Sequence, residues 1–173
     1  MLLAYRLVRL IETHADKLAD SALKLLQDSE KTRDFAKGPA GKDFRKAVCE
    51  IYTHLGEWVM GKSEEDIARR YTEIGRQRAA QGVLLSELNW AIVIAREALW
   101  EFLKAEDVLE RPTEVFGELK LLQLLEQFFD RAIYYAAVGY EQYKSGAGEG
   151  TCAHAANTDV HTVNTDAHTV KAR

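Results

Sequence analysis

Apolar residues recur at three- and four-residue steps through most of this chain, and no stretch shows the every-second-residue alternation of a half-buried strand. The rhythm predicts five helices. The first runs from about Leu3 to Leu26, with Leu7, Leu10, Ile11, Leu18, Ala22 and Leu25 on one stripe. A polar connection from Asp28 to Gly41 ends in Lys37-Gly38-Pro39-Ala40-Gly41, where proline and glycine punctuate helices. The second helix, Lys42 to Met60, has Phe44, Ala47, Val48, Ile51, Tyr52, Leu55 and Val59 on its core face and stops at Gly61. The third opens with Ser63-Glu64-Glu65-Asp66, a capping-box pattern, continues through Ile67, Tyr71 and Ile74, and closes at Gly82. The fifth starts at Pro112, a residue suited to a first helical turn, and keeps its rhythm to about Tyr143. The expected fold is all-α, a mainly antiparallel bundle of about five helices with a disordered C-terminal tail.

The fourth helix, from Leu85 to Lys104, is apolar almost all round and must be buried in a core or at an interface. Leu85, Leu88, Ile92, Ala95, Leu99 and Phe102 form its expected core stripe. Glu87, Trp90, Ile94, Glu97, Glu101 and Lys104 fall on the opposite, solvent side. Trp90 and Ile94 sit one turn apart in the middle of that charged face, the pattern of a small contact centre, and so are interface candidates for a two-fold homodimer. Asn89 and Arg96 lie beside the stripe and need partners if buried. Both are ligand-pocket candidates, with Arg96 expected to pair with a carboxylate from a neighbouring helix. His14, on the stripe of the first helix, is a third pocket candidate. A ligand for haem or metal is the functional reading of this histidine, and a histidine hydrogen-bonded within the core is the preferred one, because no partner histidine stands at ligand spacing.

After Lys144 the composition turns to Gly, Ala, Thr, Asn and His, which cannot bury enough apolar area to offset ordering entropy. The expected division is therefore a helical domain over 1–144 and a low-complexity tail over 145–173. Asn157 to Val163 and Asn164 to Val170 are near-identical seven-residue units, and His154, His161 and His168 recur at the same period. Three histidines on a flexible chain give only weak metal binding, so no metal or cofactor is expected. With 173 residues the chain fits one core, and the net charge of −4 gives no basic footprint for nucleic acid. The arginines at 69, 70, 76 and 78 share their helix with Glu64, Glu65, Asp66 and Glu73, which reads as a solvated mixed-charge face. Cys49 and Cys152 make no disulfide framework, and no run approaches a membrane span, so the expected compartment is the cytoplasm.

Catalytic patterns are missing: no Glu-x-x-His pair, no phosphate-cradling glycine loop and no nucleophile elbow occur. The chain is not expected to be an enzyme. One phosphotransfer reading exists, in which His54 of His54-Leu55-Gly56-Glu57 accepts a phosphoryl group, but Glu57 puts an acid where a phosphate wants a cation. A purely structural oligomerisation domain is the other alternative.

The residues Gly75, Arg76, Arg78, Gly82, Leu85, Glu87, Leu88, Arg96, Trp100 and Phe102, with Phe128-Phe129-Asp130-Arg131-Ala132 later, resemble the RsbRD-type N-terminal domain of RsbT co-antagonist proteins, over roughly residues 5–143. The resemblance implies an all-helical sensory or regulatory module of bacterial stress signalling, of the kind that precedes an output domain in stressosome proteins and some histidine kinases. It implies dimeric or larger assemblies and a signalling protein met in trans, with an unidentified small ligand as a further partner.

Overall fold

The structure, a computed structural model, describes the backbone of residues 2–106 and 112–155. Among these residues every regular element is helical. The α-helices are α1 (Leu2–Thr13), α2 (Ala15–Asp28), α3 (Arg33–Lys37), α4 (Pro39–Thr53), α5 (Glu64–Ala80), α6 (Leu85–Ala105) and α7 (Pro112–Ala155), with a 3-10 turn at Glu30–Thr32 and a π-helical turn at Glu57–Gly61. All five expected helices are present, but the first two are broken. The last continues past Tyr143 to Ala155, and the two seven-residue repeats lie outside the described residues.

Both breaks use one local device. Ile11-Glu12-Thr13-His14 and Ile51-Tyr52-Thr53-His54 each end a helix with Thr and His side chains turned back onto carbonyls one turn earlier. Thr13 and Thr53 donate to the carbonyls of Arg9 and Cys49, while the His14 and His54 Nδ1 atoms lie 2.8 and 3.1 Å from those of Leu10 and Glu50. Such back-bonding competes with the backbone ladder and bends helices. The two bends meet, since the Glu12 carboxylate accepts the Gly56 N–H at 3.0 Å. Periodicity carries no sign of this, because the apolar stripe runs on through each bend.

The connection expected as a polar loop also folds. Thr32 is fully buried and donates to the Leu26 carbonyl at 2.8 Å. The first turn of α3 is capped from another helix: Glu87 of α6 accepts the N–H groups of Asp34 and Phe35 at 3.2 and 3.1 Å. A carboxylate at a helix N-terminus satisfies donors that have no intrahelical partner. Glu87 is thus 7% exposed, not on the solvent side.

The buried face of α6 keeps most of the expected stripe and widens on the side of Glu87. Ala91, Ile94, Ala95 and Ala98 are buried with Leu88, Leu99 and Phe102, whereas Leu85 and Ile92 are only half-buried. Buried alanines occur on both helices, Ala91, Ala95 and Ala98 on α6 and Ala15, Ala19 and Ala22 on α2, and small side chains let backbones approach. Ile94 is 2% exposed, and Trp90 is half-buried beneath the Lys31 ammonium, 3.5 Å from its ring centroid. The homodimer contact expected at Trp90 and Ile94 is corrected accordingly, since segments of the same chain cover that position.

The tightest packing joins α5 to α7. A Cβ on Gly75 would lie 2.0 Å from the Ala136 carbonyl oxygen, and one on Gly139 would lie 1.9 Å from that of Thr72. Backbone touches backbone here, which only glycine permits. The pair runs parallel: Arg131 meets Glu64 at 3.5 Å, Gly139 meets Thr72, and Gln142 accepts from Arg76. Helix α6 returns antiparallel between them in sequence. Gly82, at φ 75°, closes α5 with the Val83 N–H bonded to the Arg78 carbonyl at 3.1 Å, and Tyr140 of α7 then donates to the Val83 carbonyl at 2.8 Å.

Candidate functional site

The polar centre of the bundle is where α6 meets α7. Arg96 and Trp100 lie one turn apart on α6, as do Glu126 and Asp130 on α7, so each pair projects from one helix face. Arg96 Nη1 donates to Glu126 at 3.1 Å and to Asp130 at 3.4 Å. Trp100 Nε1 donates to the other Glu126 oxygen at 2.7 Å. Both Glu126 oxygens are therefore engaged, in charge-assisted bonds of the stronger kind. The expected partner of Arg96 is two carboxylates, one Glu and one Asp.

Beside this cluster opens a groove of 710 Å³, floored by α6 residues Arg96, Glu97, Trp100, Glu101 and Lys104, with Leu25 of α2 on one wall and Glu126 of α7 on the other. Asn89 is half-buried farther up α6, and its Oδ1 has no hydrogen-bond partner among the described residues. His14 does not line the groove. It sits at the first helix break, Nδ1 on its own helix and ring 5.3 Å from that of Phe102. Of the three pocket candidates, the structure thus brings Arg96 to a groove, leaves Asn89 on the same helix outside its lining, and places His14 in packing.

A second groove, of 840 Å³, runs between α4 and α5. Arg70 pairs across it with Glu50 at 3.1 Å and Arg78 with Asp43 at 3.7 Å, while Lys62 and Glu57 pair locally at 3.8 Å about the π-helical turn. The Arg70 guanidinium lies 4.9 Å from the centroid of Trp58, whose ring reaches Phe128 of α7 at 6.2 Å. The charges are mixed as anticipated from composition, but the face is less solvated than expected, with the Arg70 and Arg78 side chains only 27% and 12% exposed. His54 is exposed and lines it, with Glu50 and Glu57 lining the same groove.

Elsewhere the perturbed groups are structural. Burial pushes the Tyr52 and Tyr71 phenols far up from their ordinary range, and Tyr52 donates to the Ala95 carbonyl, tying α4 to α6. Asp66 is held below the usual carboxylate range by the Ser63 N–H and hydroxyl, with Arg69 adding to it. This is the capping box at the start of α5. No group of three or more metal-ligating side chains occurs among the described residues.

Glu87 and Glu126 are the residues the sequence did not single out for these roles. Glu126 and Asp130 at i, i+4 opposite Arg96 and Trp100 at i, i+4 is a legible match. Glu87 has no such signature, because its partners are backbone groups.

These features define a class: an all-helical bundle whose polar side chains hold helices to one another around a long final helix. The chain belongs to the family described as the RsbT co-antagonist protein rsbRD N-terminal domain, which matches residues 16–149, from α2 through most of α7. It is a family of signalling domains related to the stressosome. Neither a curated protein nor a solved structure matches the chain. No helix of the described residues is long and apolar enough to cross a membrane.

Proposed function

We propose that the chain is a sensory or regulatory binding module of bacterial stress signalling, acting in the cytoplasm without a catalytic step of its own, and that α7 is its responding element. One observation carries this reading: α7 is gripped from two sides by contacts that tolerate little displacement. Its backbone lies directly on α5 at Gly75 and Gly139. Its Glu126 and Asp130 are held by Arg96 and Trp100 of α6. A ligand or partner that competes for either grip shifts α7 as a body, because close-packed interfaces rearrange between discrete states. Family membership supplies the context, with RsbT and a signalling output domain as the expected partners.

The test is reconstitution with the full chain. Purified protein is mixed with RsbT, or with the output half of an RsbRD-type protein supplied as a separate chain, and complexes are followed by light scattering. Native mass spectrometry of the freshly purified chain looks for a retained ligand or a second copy. Complex formation that Arg96→Ala alters is the expected result. A monomer that holds nothing and binds neither protein would overturn the reading.

A further inference from the structure

Leu25 on the α2 wall of the groove over α6 is 40% exposed, and Trp100 on its floor is half-buried. Leu119 of α7, 46% exposed, lies seven residues before Glu126 on nearly the same face of that helix, outside the groove's lining. Leu25 and Trp100 leave apolar surface in the valley between helices, and Leu119 adds exposed apolar surface farther along α7. Around it acids outnumber bases: Glu97, Glu101, Glu126 and Asp130 against Arg96 and Lys104. Glu97 has no ion-pair partner among the described residues. Among the described residues Lys104 is held only by Glu101, in an exposed pair at 2.8 Å that adds little stability and yields readily to another cation.

We propose that this groove docks an amphipathic helix of a signalling partner, one whose apolar stripe meets Leu25, Trp100 and Leu119 and whose flanking Lys or Arg residues lie over Glu97 and Glu101. A valley between two helices that is floored by a third accepts another helix through its apolar face, and the surplus of acids selects basic flanks. The occupant meets Glu126 as well, the residue through which Arg96 and Trp100 hold α7, so docking bears directly on that grip. The inference rests on the regulatory reading above and names the partner surface within it.

The probe is a labelled amphipathic peptide of leucine and lysine, compared by fluorescence anisotropy with a glutamate-for-lysine version and with a scrambled peptide of the same composition. The full chain is used throughout. Glu97→Lys, and separately the paired change Leu25→Ser with Leu119→Ser, alter only exposed positions and should each weaken binding of the lysine peptide by about tenfold, a change typical of losing one good contact. Glu73→Lys, on α5 in the other groove, makes the same charge change at a distance and should leave the affinity within about twofold. The scrambled and glutamate peptides should bind at least about tenfold more weakly. Equal weakening by Glu73→Lys would show general attraction to an acidic protein and overturn the proposal. So would groove variants that bind as the parent does. A chain that is dimeric, and that Glu97→Lys converts to monomer, would assign the groove to a second copy instead. If the peptide fails while the chain still binds RsbT or the output half, only the groove is lost.

Discussion

Gly75→Ala tests the contact on which the reading of α7 depends. The new methyl carbon would stand 2.0 Å from the Ala136 carbonyl oxygen and 2.8 Å from the Tyr140 nitrogen, both backbone atoms that cannot rotate away. The shortfall from an ordinary contact is about 1.4 Å, so α5 and α7 must separate or slide along much of their shared length. Overpacking of this kind costs typically about 1–3 kcal/mol, and an obstruction made of backbone belongs at the upper end. Alanine's better helix propensity returns about 1 kcal/mol. The net loss is about 2 kcal/mol, which for a domain of this size lowers Tm by about 4–8 °C. Gly146→Ala is the control, because a Cβ there meets nothing within 4 Å. It should leave stability unchanged or slightly raised. Urea denaturation followed by far-UV circular dichroism reads both midpoints under identical conditions. If Gly75→Ala proves as stable as Gly146→Ala, the α5 and α7 backbones are not in contact and the grip on α7 does not exist.

Two further outcomes are expected. Glu87→Ala leaves the N–H groups of Asp34 and Phe35 without an acceptor and should cost about 2 kcal/mol, with faster amide exchange at those two residues; exchange at the parental rate would mean that α3 needs no cap from α6. Asp66 has a folded-state pKa below its ordinary 3.8, so its contribution is complete above that pH and is lost as pH falls through the lower folded value. The stability gap between the parent and Asp66→Asn should therefore be widest above about pH 4 and close in stronger acid, and a gap that is constant with pH would remove the carboxylate as its cause.

What the sequence determined alone was whatever has a period or a local signature. Helical rhythm located all five long segments, Ser63 to Asp66 marked the start of α5, and Gly82 marked its end, because capping and left-handed backbone depend on residues adjacent in the chain. Arg96 was likewise legible as a residue in need of a carboxylate. Tertiary structure decided how far the buried face of α6 extends. Ala91, Ile94 and Ala98 join the expected stripe, and Glu87 is buried because its partners are the α3 backbone N–H groups. Tertiary structure also decided that Gly75 lies on the α7 backbone and Gly139 on that of α5, since a glycine required by a neighbouring backbone looks, in sequence, like a glycine that merely weakens a helix. The bends at His14 and His54 fall between these cases: the Thr-His pairs bond locally, while the Glu12 carboxylate that accepts the Gly56 N–H is a partner supplied by the other bend. Local chemistry sets where helices begin and end, and only the packed chain sets which of their faces meet.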